Sequence, residues 1–183
     1  MLSQSPTKNM PDRSVHKTLW VLALPIMLSN VSLPLLGLVD TAILGHLSDS
    51  RYLAAVAMGA SLFMLVFWSF SFLRMGTTAL IAQSIGRHSP VTSIIHSAIL
   101  LALFIGVCLI TFSPPLISLM IKLVGAVDSI EPFAQEYLQI RFYFAPVTLL
   151  NYVFLGYFIG QGKTKIPLIL LVSSNLLNGV LDY

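Results

Sequence analysis

Apolar residues arrive in long unbroken runs, and polar ones collect between them. The first run extends from Leu19 to Leu44 and reads LWVLALPIMLSNVSLPLLGLVDTAIL; further runs cover about 53–73, 94–112 and 133–159, and another starts near Ile166. Each holds about 18 or more apolar-dominated residues, the length a helix needs to cross a hydrocarbon core ~30 Å thick. This pattern predicts an all-α, polytopic membrane protein with about five spans. Residues 1–18 are polar and form a tail, and the second span has room to continue past Arg74 to Gly86.

Composition agrees with the bilayer and excludes a soluble domain. Hydrophobic residues make up 56% of the 183-residue chain and charged residues only 9%, against roughly 25% in soluble domains. The formal net charge is +3, but its basic residues stand singly at the ends of apolar runs. They anchor spans at membrane interfaces and form no face for nucleic acid. The one cysteine, Cys108, lies inside a run, which excludes an intramolecular disulfide and speaks against a cysteine-based metal site.

Loop charges orient the spans. Lys8, Arg13 and Lys17 precede span 1, Arg87 and His88 follow span 2, and Lys163 and Lys165 follow span 4. The other loops carry Asp49 with Arg51, and Lys122 with Asp128 and Glu131, so neither has a basic excess. The positive-inside rule then places the N-terminus and alternate loops in the cytoplasm.

Against that orientation, the carboxylates inside the runs stand out. Asp40 is about 23 residues past Lys17, and Asp182 about 17 past Lys165, so both belong to the outer half of the bilayer at ~1.5 Å per residue. Asn178 lies one turn before Asp182 on the same face, and Asn175 extends that polar stripe. Acids inside a span are costly unless they face water or a partner. Two acids and an amide can therefore line one outward-facing pocket between spans 1 and 5. Pro25, Pro34 and Gly37 interrupt span 1, and interrupted helices at membrane depth are where transporters bind their cargo. The plainer reading of each acid is a helix cap or a headgroup contact. Arg74 and Arg141 are expected to snorkel or to pair with carboxylates or carbonyls, and Thr77, Thr78 and Gln83 to bond between helices. Tyr143 belongs to the aromatic stripe FYFAPVTLLNYVFLGYF of span 4, which reads as packing or an interfacial belt with one ring able to face a cavity.

Enzyme motifs are missing: the chain has no HExxH, GxSxG, Walker A or CxxC sequence, and its histidines and acids have no metal-ligand spacing. The expectation is a protein without enzyme activity, cofactor or metal.

LALPIMLSNVSLPLLGLVDTAILGHL, with LRMGTTALIAQSIG (73–86) and NLLNGVLD (175–182), resembles the multidrug and toxic compound extrusion (MATE) family, in its DNA-damage-inducible protein F branch. The resemblance implies the first five helices of a six-helix lobe, one of two in a twelve-helix cation-coupled antiporter. Residues 19–183 would form most of the N-terminal lobe. It implies that Asp40 couples transport to protons, with sodium as the second choice, and that Pro25 marks the bend of its helix. Asn178, Asp182 and, more loosely, Tyr143 would line the cation and substrate cavity. Desolvation favours the uncharged form of a carboxyl group, so such an acid can take a proton from outside and release an organic cation in exchange.

The implied setting is the bacterial inner membrane, with membrane lipid, a small organic, cationic substrate, and a second lobe as partners. The run that starts near Ile166 has no polar flank before Tyr183, so the expectation is that a sixth helix and the second lobe are absent. Two other readings stay open: a flippase of the same superfamily for lipid-linked saccharides, which calls for several cavity arginines, and a membrane fragment without transport activity.

Overall fold

A computed structural model describes residues 16–17, 19–25, 27–28, 50–125, 127 and 129–181, with side chains described as far as Ser173. Six helices are placed along it: α1 (Ser50–Ser69), α2 (Phe72–Gly86), α3 (Thr92–Val124), α4 (Glu131–Tyr143), α5 (Ala145–Gly160) and α6 (Lys165–Leu181). Residues 19–25 and 27–28 are helical as well. No strand occurs among the described residues.

The helices combine into long spans. α1 and α2 run on as Arg51–Gly86, 36 residues, and α3 is a second span of 33 residues. α4 and α5 form a third if their 52° bend is taken as a break within one span. The break falls at Phe144, because Pro146 lacks the N–H that would bond Phe142 and its ring crowds the preceding turn.

α3 is longer than the hydropathy pattern suggests, passing through Pro114 and Pro115 to end at Gly125. Two prolines inside a helix free two carbonyls, which in an apolar setting need another donor. Here the buried Ser113 hydroxyl donates to the Ile110 carbonyl at 2.8 Å, the bond that Pro114 cannot make. Gly125 closes the helix in the left-handed region, φ 68°, its N–H donating to Ile121 and Lys122 carbonyls.

Two reversals lie at one end of the bundle, here the near end: His88 takes φ 53° between α2 and α3, and Gly162 takes φ 74° between α5 and α6. The α3–α4 connection marks the far end. With two reversals between them, the α1–α2 and α4–α5 spans run parallel. Accordingly α1 packs on α4 and α2 on α5, while α3 runs antiparallel against both α4 and α5.

The shared core consists of Phe63, Phe67, Leu73, Ile117, Ile121, Leu138, Phe142, Leu149 and Val153. Outside it, large apolar side chains such as Met64, Trp68, Phe104 and Val147 are exposed, as lipid-facing positions are in a chain that buries itself in hydrocarbon.

Close approach is made by glycines. A β-carbon at Gly156 would lie 2.6 Å from the Arg74 carbonyl oxygen, and one at Gly160 would lie 2.8 Å from that of Thr78. Two glycines four apart thus let α5 lie directly on the α2 backbone, the way spans associate without a hydrophobic driving force.

Candidate functional site

Asp40 and Asp182 lie outside the described residues, and Asn178 is within α6 with its side chain undescribed. Pro25 is described: it is buried, in the helical stretch 19–25. Tyr143 is 68% exposed at the end of α4, and its ring meets the adjacent Phe144 edge-on.

What the structure does assemble is a cation seat that the pattern reading missed. α4 is the polar half of its span, carrying Glu131, Gln135, Glu136, Gln139 and Arg141. Tyr137 and Arg141 stand four residues apart and share a face. That face turns toward α1, where Tyr137 fills the space above Gly59. The Arg141 guanidinium lies 4.4 Å from the centre of the buried Phe63 ring and 5.5 Å from that of Tyr137. Arg141 is exposed, and among the described residues it pairs with no acid; its contacts are aromatic. Tyr143 is two positions beyond Arg141 and faces another side of the helix. The i, i+4 pairing of Tyr137 and Arg141 in the one polar helix was the signal that could have found this seat.

Energetics show what the seat lacks. A guanidinium keeps its charge at any accessible pH, and an arginine at the middle of a span costs roughly 2.5–3.5 kcal/mol on insertion scales. Each cation–π contact returns ~0.5–1 kcal/mol at an exposed site. The rings offset part of the cost, and water or a carboxylate must supply the remainder. Arg74, past the end of α1, is similarly exposed and lies within electrostatic reach of Tyr152 on α5.

The threonines act locally. Thr78 donates to the Arg74 carbonyl within its own helix at 2.8 Å, and Thr77 is buried where α2 meets Gly156. Ser84 closes the near-end turn by donating to the Ser89 carbonyl at 3.1 Å.

A cleft of about 430 Å³ opens between α2 and the start of α3, lined by Phe72, Gly76, Leu80, Ile94 and Leu101 among others. It contains no ionisable side chain, so it has no means of binding a proton or a cation by charge. No group of three or more histidines, cysteines or acids capable of holding a metal occurs among the described residues.

Long apolar spans, a proline-broken helix and polar side chains on parallel paired spans define a polytopic α-helical membrane protein. The chain belongs to the MatE family, whose family model matches residues 25–183. It is 43% identical to the DNA damage-inducible protein F of Escherichia coli K12 over 92% of this chain and 37% of that protein. A probable multidrug resistance protein NorM of Thermotoga maritima is 33% identical over 97% of this chain and 38% of its own length. The chloroplastic protein DETOXIFICATION 44 of Arabidopsis thaliana is 31% identical over 94% and 36% respectively. The higher identity to the first of these agrees with the DNA-damage-inducible protein F branch. The chain spans less than two fifths of the length of each of these relatives.

Proposed function

We propose that this chain is the greater part of the first lobe of a secondary antiporter that exports organic, chiefly cationic compounds across a bacterial inner membrane in exchange for protons. The observation that carries this reading is the MatE match over residues 25–183, which includes both Asp40 and Asp182. The names of relatives, multidrug resistance proteins among them, support export of foreign compounds as the activity. Proton coupling is favoured because desolvation favours the uncharged form of a carboxyl in an apolar span, so it can change charge by binding a proton; sodium, which two acids and an amide can also ligate, is the second choice. In this reading Asp40 carries the proton, Asp182 and Asn178 line the cavity, Tyr143 borders it and Pro25 permits span 1 to bend. The basic loops at 87–88 and 163–165 support a cytoplasmic near end in this reading.

The test is efflux of ethidium from cells lacking their own exporters and expressing the complete coding sequence that contains this chain. Export that collapses with the proton gradient and persists without sodium is expected. Export that needs sodium and ignores the proton gradient would overturn the coupling, and no export of any organic compound would overturn the function.

A further inference from the structure

The cleft between α2 and α3 is an apolar slot with a cationic mouth. On α2, Phe72, Gly76 and Leu80 follow one another at four-residue spacing and share a face, and on α3 Ser93, Ser97 and Leu101 do the same. The helices are antiparallel, so Leu80 and Ser93 stand at the near mouth and Phe72 and Leu101 at the inner end. Gly76 keeps the middle open, since a β-carbon there would meet nothing within 4 Å. Beside these residues on the same helices, Met75, Leu100 and Phe104 are exposed, as lipid-facing side chains are. The volume of about 430 Å³ falls within the roughly 300–1,000 Å³ of small-molecule sites.

The turn that joins α2 to α3 closes the near mouth, and its backbone is fixed. The Ser89 N–H donates to the Ser84 carbonyl at 2.9 Å, the Ser84 hydroxyl donates to the Ser89 carbonyl at 3.1 Å, and His88 is held between them at φ 53°. This turn carries Arg87 and His88, both exposed. No acid balances them: the sequence has none from Ser50 to Val127, and the acids among the described residues, Glu131 and Glu136, are on α4 toward the far end. A fixed positive charge over an apolar slot complements a molecule with an anionic head and a hydrocarbon tail. The dimensions agree. Along α2 the slot starts at Leu80, seven positions or ~10 Å from Arg87, and ends at Phe72, ~12 Å further in, whereas one leaflet offers roughly 5–8 Å of headgroup layer over hydrocarbon ~15 Å deep.

We propose that the α2–α3 cleft and the Arg87–His88 turn form a site for one anionic phospholipid of the near-end leaflet, with an acyl chain along Gly76 and the phosphate at Arg87. Basic groups at a membrane surface attract anionic headgroups, and the slot supplies what scattered surface charge lacks, a fitted place for the chain. The absence of any ionisable side chain from the lining suits hydrocarbon and excludes a second charge. The inference stands independently of the coupling ion and of the exported compound.

The experiment is native mass spectrometry of the complete protein, purified in detergent and incubated with equal amounts of phosphatidylglycerol and phosphatidylcholine that carry the same acyl chains. The wild type is expected to retain one phosphatidylglycerol at least about fivefold more often than one phosphatidylcholine. Arg87→Gln should lower that preference about fivefold, the value of one basic group at a membrane surface. Gly76→Leu fills the slot and should reduce retention of both lipids, whereas Lys163→Gln, at the other near-end turn, should leave the preference in place. No preference in the wild type, an unmoved preference in Arg87→Gln, an equal drop in Lys163→Gln or full retention by Gly76→Leu overturns the proposal. A dimer that Gly76→Leu abolishes would make the slot a contact between copies and overturn it as well. Should Gly76→Leu fail to accumulate, Leu80→Trp obstructs the near mouth and is expected to reduce retention of both lipids. Full retention in that variant also overturns the proposal.

Discussion

Pro146 of α5 occupies the space that Gly106 of α3 leaves open: a β-carbon at Gly106 would come within 2.6 Å of the Pro146 α-carbon. The obstacle is backbone on one side and a rigid ring on the other, so no rotamer change relieves it. Helix propensity alone would favour Gly106→Ala by about 0.8–1 kcal/mol. Overpacking in a filled interior costs about 1–3 kcal/mol, and here it wins because neither wall can give. Gly106→Ala should therefore destabilise the protein by about 1 kcal/mol and Gly106→Leu by more, read as lower midpoints of thermal unfolding in detergent. A stabilised Gly106→Ala would show that α3 and α5 are not held at this distance.

The same reasoning applies where α5 crosses α2. Gly156 meets the Arg74 carbonyl and Thr77, and Gly160 meets Ile81 and the Thr78 carbonyl. Gly156→Ile and Gly160→Ile should each push the helices apart and lower the unfolding midpoint, with the double variant failing to accumulate in membranes. Gly76 has open space around it, so Gly76→Ala should be tolerated and serves as the control. Equal losses at all three glycines would point to helix flexibility rather than close packing.

Ser113→Ala tests how α3 survives its prolines. Removing the hydroxyl leaves the Ile110 carbonyl without the donor that replaces Pro114. Side-chain hydrogen bonds within membranes average ~0.6 kcal/mol and reach about 1.7, and the buried site belongs near the upper value. A loss of about 1–1.5 kcal/mol is expected for Ser113→Ala, with Ser113→Thr, which can repeat the bond, close to wild type. Equal stability of all three proteins would mean that the carbonyl finds another donor.

Much of the architecture is legible in the chain because membrane insertion depends on apolar run length, and run length is local. Span 3 is harder: the apolar run is bounded at about 112, whereas α3 continues through Pro114 and Pro115 to Val124, with the Ser113 hydroxyl bonding the carbonyl that Pro114 frees. Helix pairing is not local at all. That α1 seeks α4 and α2 seeks α5 follows from parallel spans separated by one antiparallel helix. Its sequence trace, glycines at 156 and 160, looks like loose helix until the Arg74 backbone is seen against it. At the site, hydropathy singled out the acids because charge in an apolar run is conspicuous. It passed over Tyr137, because the value of that ring lies in the Arg141 one turn along the helix.

The final prediction separates a titrating acid from a structural one at Asp40. Asparagine keeps the size of aspartate and most of its hydrogen bonding but cannot bind or release a proton. In the complete protein, Asp40→Asn should accumulate in the membrane like wild type and lose proton-driven efflux by at least tenfold, whereas Asp40→Glu should retain part of it. A helix cap or headgroup contact at Asp40 predicts the opposite ordering, since asparagine caps helices about as well as aspartate and glutamate is a poorer fit. Asp182→Asn should weaken efflux less, because Asp182 lines the cavity in this reading and does not carry the proton. The discriminating measurement is ethidium efflux driven by an imposed proton gradient, normalised to protein in the membrane. Wild-type efflux from Asp40→Asn would remove Asp40 from the coupling mechanism, and an equal loss from both asparagine variants would make the two acids a shared proton site.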